Sequence, residues 1–268
     1  MMTRNFLPFQ YQSDLSECGM TSFAGLPLYM DLAMVSGLCT AITKQLKTKT
    51  QGWTDVHIIL SLILLNIAGG DCVDDIERLE ADAGLRTLLL KMKTHGMTRK
   101  LRREAARRWR KTPQRAFPSA SAIRRYLGQF HNASEEAIRE SGQAFIPSPN
   151  KLLSGLINTQ TALIQSAQQQ HPCEQATLDQ DATLSATNKR SALYCYKKFK
   201  AYQPFNTYWQ EQGLLVGSEF RDGNVPAGFE QLRLLKASLA VLPQGVKTVY
   251  LRSDSAGYQQ AVLDYCAS

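Results

Sequence analysis

Residues 177–189, TLDQDATLSATNK, decide how the rest of the chain is read. The run alternates like a strand, and residues two apart on a strand share a face. Asp179 and Asp181 therefore project together, opposite Leu178 and Leu184. An exposed strand face accommodates such charges in water. A metal-holding strand needs the same pattern, with carboxylates carried on a rigid element. The neighbouring elements bear on which reading applies.

Downstream, YCYKKFKAYQPFNTYW from Tyr194 is aromatic and basic and is read as a second strand. GLLVGSEFRDG is a third, ending at the turn signal Asp222-Gly223. VPAGFEQLRLLKASLAVL predicts a helix with Phe229, Leu232, Leu235 and Leu239 on one face. VKTVYLRSDS is a fourth strand that delivers Asp254 at its C-terminal end, and AGYQQAVLDYCAS opens another helix. A strand reached through a crossover helix is expected to lie parallel to a neighbour. If the first and fourth strands adjoin, Asp254 comes close to Asp179 or Asp181. Adjacent carboxylates raise each other's pKa unless a cation intervenes. Magnesium suits them, since it takes oxygen ligands from a few carboxylates, waters and substrate phosphates. Arg190, Lys197 or Arg252 would serve the same acids as ordinary ion-pair partners, so spacing leaves both readings open.

The first half reads as helical. LYMDLAMVSGLCTAI carries Leu28, Leu32, Val35 and Leu38 at three- and four-residue steps. Thr54 is the expected N-cap of a helix through Leu65, with Gly69-Gly70 as its stop. Val73, Ile76 and Leu79 line one face of the next segment. MTRKLRREAARRWRK is rich in helix formers and ends before Pro113. Ser119 or Ser121 is expected to cap a helix that buries Ile123 and Leu127, and Asn132 or Ser134 a short one through Arg139. After a connector at Pro147 and Pro149, Leu152, Leu153, Leu156, Ile157, Leu163 and Ile164 are expected to face inward from a long helix.

A chain of 268 residues is long enough for two units, and 44% hydrophobic with 20% charged residues is an ordinary globular balance. The longest apolar run, from Val56 to Gly70, holds His57 and Asn66 and is too short to span a bilayer. The N-terminus has no apolar stretch of signal-peptide type. Six cysteines without a CxxC pair suggest reduced thiols in a cytoplasmic, nucleoid-associated protein, with no zinc site and no membrane partner. The four histidines share no ligand spacing. Of the net charge of +8, most is local: thirteen of the 31 basic residues lie between Lys91 and Arg125, against one acid, Glu104. Such a stripe is either a solvated face or a polyanion grip, since neutralising phosphates releases counterions. Arg99, Lys100, Arg102, Arg103, Arg107, Arg108, Arg110 and Lys111 are its DNA-binding candidates, and Trp109 reads as a helix anchor. Lys197, Lys198 and Lys200, interleaved with Tyr196, Phe199 and Tyr202, suit phosphate contact with ring stacking, or an amphipathic strand.

LDQDATLSATNK, YCYKKFKAYQPF and VYLRSDSAGY, in that order, resemble three blocks of bacterial insertion-sequence transposases with a DDE core. The branch they resemble is the one named after insertion sequence thirteen-eighty. LLNIAGGDCVDDIERLEAD and PSASAIRRYLGQF are similar to segments upstream of that core. The resemblance implies an α+β (α/β) fold: a helical, basic DNA-binding region over residues 1–172, then a ribonuclease-H-like mixed sheet with flanking helices over 173–268. It implies catalytic, metal-holding Asp181 and Asp254, with Asp179 as the alternative ligand, and Mg2+ or Mn2+ as cofactor. The implied partners are the element's terminal repeats, target DNA and further copies of the chain in a synaptic complex. The family's third acid, a glutamate beyond another strand, has no counterpart, and the chain is expected to be truncated before it. Two functions follow: a transposase that cuts and joins DNA, or an inactive remnant that binds element ends or regulates transposition. A basic helical protein unrelated to transposition is the third reading.

Overall fold

Capping residues and glycines, more than apolar periodicity, divide the first half of the chain into helices. A computed structural model describes residues 19–48, 52–94, 97–111, 115–140 and 142–268, without the side chains at 93, 94, 105 and 108–111. Nine helices precede the first strand among them: α1 Leu26–Val35, α2 Leu38–Gln45, α3 Asp55–Ile67, α4 Ile76–Ala81, α5 Ala83–Thr94, α6 Arg99–Lys111, α7 Ala120–Leu127, α8 Ala133–Ala137 and α9 Lys151–Gln170. Thr54 caps α3 by accepting the His57 amide at 3.3 Å, and Gly69 ends it at a positive φ of 76°. Ser119 caps α7 and Asn132 caps α8, as expected. Asn150 caps α9 twice, accepting from the Leu152 and Leu153 amides, and its own amide donates to the Gln129 and Phe130 carbonyls.

The first core gathers Leu26, Ile58, Leu64, Ile76, Leu79, Leu85, Phe117, Ile123 and Tyr126. Glu80 ties its edge by accepting from the Ala116 and Phe117 amides at 2.9 Å each. Several face assignments shift. Gly37, at φ 81°, breaks the first apolar run into α1 and α2, which meet at 64°. Leu28, Leu32 and Val35 are exposed, and Leu26 and Ala33 carry the burial instead. On α7 it is Tyr126, not Leu127, that is buried, because a ring one position earlier reaches the core face. On α9 Ile164 is buried but Ile157 is exposed, and Gly155 and Thr159 carry the burial in its first half instead.

The second half builds two sheets. The larger has the order β6-β5-β1-β7, from β1 Gln175–Ala182, β5 Phe205–Trp209, β6 Leu214–Glu219 and β7 Thr248–Ser253. β5 and β6 run antiparallel to their neighbours, whereas β7 returns through α10 Gln231–Ala240 and lies parallel to β1. With α11 Gln260–Ala267 after it, this is the ribonuclease-H-like order. The sheet's inner face, with Ala176, Leu178, Trp209 and Val216, packs on Leu235 of α10, Val262 of α11 and Ile164 of α9. α10 starts at Gln231, later than Val225, so Phe229 lies ahead of it.

The aromatic-basic block is not one strand. It divides into β3 Leu193–Tyr194, a turn, β4 Lys200–Tyr202 and β5, and a second sheet forms with β2 Ser185–Ala186 in the order β2-β4-β3. The turn closes through the Lys198 amide on the Cys195 carbonyl and the Cys195 amide on the Phe199 carbonyl, both 2.9 Å. Among the described residues no single helix is long and apolar enough to cross a membrane.

α2 and α9 approach closely at Gly155. A Cβ there would stand 2.8 Å from the Gln45 carbonyl oxygen and 2.7 Å from Leu46 Cδ2. Gly155→Val is expected to lower unfolding free energy by about 1–3 kcal/mol, the usual cost of overpacking, read from urea unfolding.

Candidate active site

Alternation on β1 sends Ala176, Leu178 and Gln180 into the core and leaves Thr177, Asp179 and Asp181 on the outer face. The parallel pairing sets Asp179 beside Arg252 and Gln180 beside Ser253. Asp181 and Asp254 are the residues that follow this last pair in sequence. Both are exposed. Asp181 Oδ2 accepts from Thr183 Oγ1 at 3.2 Å. Asp254 Oδ1 accepts the Ala256 amide at 3.0 Å and caps the turn Ser255–Gly257. No ion pair among the described residues involves either acid.

Asp179 sits differently. Arg252 grips both its oxygens through Nε and Nη2, the two-pronged geometry that suits a guanidinium to a carboxylate. The hydrogen bonds and charge of Asp179 raise the pKa of Arg252 further. Sharing this outer face is Glu211, which accepts from the Thr177 amide (2.8 Å), Thr177 Oγ1 (2.6 Å) and Gln175 Nε2 (2.9 Å). Partial burial pushes its carboxyl up, but these donors outweigh that and hold it down at about 2. Glu211 lies far from the acid motifs in sequence, and no local signal marked it.

Beneath the outer face runs a buried amide network. Gln231 Nε2 donates to Gln180 Oε1 (3.2 Å) and Ser253 Oγ (3.1 Å), and Gln180 Nε2 donates to Thr207 Oγ1 (3.0 Å). Gln259 Nε2 donates to the Gly228 carbonyl at 2.7 Å, joining the segment before α11. Gly257 is necessary to this packing: a Cβ there would lie 2.2 Å from Ser253 Oγ and 2.9 Å from Gln231 Nε2. Gln180 and Ser253 directly precede Asp181 and Asp254, so the network holds the two strand ends that carry the acids. The alternation that turns Asp179 and Asp181 outward turns Gln180 inward, but its partners Gln231 and Ser253 carry no local mark of the pairing.

The basic candidates fall in two places. On α6, Arg99, Lys100, Arg102, Arg103 and Arg107 are exposed, while the side chains of Arg108, Trp109, Arg110 and Lys111 lie outside the described residues. Elsewhere in the stripe, Arg115 pairs with Glu77 and Arg124 with Asp74, so part of that charge is locally neutralised. Lys197 and Lys198 occupy the β3–β4 turn, not a strand, with Lys198 at φ 65°. Lys200, on β4, donates from Nζ to the Arg190 carbonyl at 2.9 Å.

No cluster of three or more His, Cys, Asp or Glu poised to hold a metal occurs among the described residues. Asp181 and Asp254 nevertheless fit a hard cation: they are exposed, oxygen-bearing and free of ion pairing, and magnesium commonly takes only one or two carboxylates, completing its shell with waters and substrate oxygens.

The family model for transposase DDE domains, group 1, matches residues 16–268. Comparison with curated proteins and with solved structures gave no significant match.

Two outcomes are expected from this geometry. Glu211, with a folded pKa of about 2 against an ordinary 4.5, stabilises the fold above pH 4.5, and that contribution is lost as pH falls toward 2. Glu211→Gln should therefore flatten the acid limb of stability across that window, read from melting temperature against pH. Gln231→Leu strands the buried amide oxygen of Gln180 and should destabilise by about 1–3 kcal/mol, read from urea unfolding.

Proposed function

Because the chain belongs to the family of transposase DDE domains, group 1, we propose that it is the transposase of a bacterial insertion sequence, of the thirteen-eighty branch. Transposases of this kind bind DNA, cut and rejoin it, and use divalent metals. The observation that carries the reading is the pair Asp181 and Asp254, exposed at the ends of two adjacent parallel strands and in no ion pair among the described residues.

In this reading Asp181 and Asp254 hold Mg2+ or Mn2+. The ion would supply Lewis-acid chemistry for phosphodiester displacement, favouring the attacking and leaving oxygens. The chain's own residues do the rest. Arg252 occupies both oxygens of Asp179 and so withdraws it from the ligand set. The buried glutamines keep the two strand ends in register. Arg99, Lys100, Arg102, Arg103 and Arg107 of α6, continued by Arg108, Arg110 and Lys111, grip phosphates of the element end without reading bases, and Lys197, Lys198 and Lys200 add contacts beyond the acids. We place the division of labour at residues 1–172 for end binding and 173–268 for chemistry, with two copies needed to bring two ends together.

A second reading, end binding without cutting, is favoured by the lack, among the described residues, of a group of three acids, histidines or cysteines placed to hold a metal. Nicking of a terminal-repeat duplex in Mg2+ or Mn2+ separates the two. Asp181→Asn and Asp254→Asn should each abolish nicking and weaken Mn2+ binding while duplex binding persists. Nicking that survives either change overturns the acid pair. Duplex binding without nicking by the unaltered chain supports the second reading.

A further inference from the structure

Residues 182–210, which follow Asp181 directly, hold five basic residues (Lys189, Arg190, Lys197, Lys198, Lys200) and no acid. They fold into the small sheet of β2, β3 and β4 and then enter β5. Its neck is closed by the Thr183 amide on the Pro204 carbonyl at 3.1 Å, so the lobe is tied down immediately beyond Asp181. Strands of two or three residues bury little, and the rings here are left in solvent: Tyr194 is 64% exposed, Tyr196 73% and Phe199 37%. Lysines are held against them, with Lys197 Nζ 5.6 Å from the Tyr196 ring centre and Lys200 Nζ 6.0 Å from that of Tyr194. Lys198 stands at the turn in the left-handed region, a costly conformation for a long side chain that persists only where surrounding structure imposes it. Between this turn and residues 186–188 lies an open groove of about 690 Å3, lined by Thr187, Asn188, Tyr194, Lys198 and Phe199.

Duplex DNA gives exposed rings nothing to stack on, because its bases already stack on each other, and lysines alone suffice to grip its phosphates. Rings interleaved with lysines suit an unpaired strand, whose bases lie on the rings while its phosphates meet the cations. We infer that this lobe is a binding site for single-stranded DNA, holding unpaired nucleotides on Tyr194, Tyr196 and Phe199 in the segment that follows Asp181. That the polymer is DNA rests on the transposase reading. The stacking surface itself rests on the lobe's rings and charges.

The test uses the whole chain and a fluorescein-labelled oligothymidine of about 12 nucleotides, within the span such platforms cover, against a duplex of equal length. The double change Tyr194→Ala and Tyr196→Ala should weaken oligothymidine binding about tenfold or more, the cost of losing a stacked base, and leave duplex binding unchanged. Tyr194→Phe with Tyr196→Phe should retain it, since the rings remain. Lys197→Ala should weaken both ligands. All these side chains are exposed, and circular dichroism checks that each variant folds. The inference is overturned if the alanine pair binds oligothymidine as the unaltered chain does, or loses duplex binding equally, or if the unaltered chain does not bind oligothymidine. None of these results touches nicking by Asp181 and Asp254, and loss of nicking in turn leaves the tyrosine comparison readable.

Discussion

The parallel pairing of β1 with β7 is the constraint on which the rest of the site depends. Asp181 and Asp254 are 73 positions apart in the sequence. They come to the ends of adjoining strands only because the chain returns through α10 and lays β7 alongside β1 with Gln180 opposite Ser253. A slip of one residue would turn one acid toward the core. Hydrogen bonds from Gln231 to Gln180, which is buried, and to Ser253 oppose such a slip, because another register leaves the Gln180 and Gln231 amides unsatisfied in the interior.

Charge on the outer face of β1 is sorted by position. Asp179 is neutralised by Arg252, Glu211 is satisfied by Thr177 and Gln175, and Asp181 has a single hydroxyl donor among the described residues. Three carboxylates that look alike in a sequence thus have different capacities. An acid held by a guanidinium has little left to offer a cation. An exposed acid with no ion-pair partner among the described residues keeps its charge for one. The sorting follows from what lies across the sheet, on β7 and in the turn after β5.

The elements with strong local signals were legible in the sequence. Thr54, Ser119 and Asn132 cap helices because a side-chain oxygen can satisfy a free amide wherever the backbone turns into a helix, and Gly69 stops one for the converse reason. The order of large strands and the crossover helix followed from alternation and helical spacing. Burial was harder. Leu28, Leu32 and Val35 have the spacing of a core stripe yet lie in solvent, since periodicity shows that a face exists and not which neighbour covers it. Residues 194–209 have the composition of one strand because aromatic residues favour strands. The turn at Lys198 needs a left-handed backbone that no glycine announced.

By itself, the sequence determined the family, the helical and mixed-sheet halves, the basic stretch that became α6 and the acids at strand positions, all carried by local patterns of residue type. Only the tertiary structure decided that Arg252 takes Asp179 rather than Asp181, that Glu211 joins the outer face, and that Gln180, Gln231 and Ser253 form one network. Those outcomes depend on which residues meet across strands and helices far apart in the chain. Pairing of that kind is set by register and by the shape of the core, which no local pattern encodes.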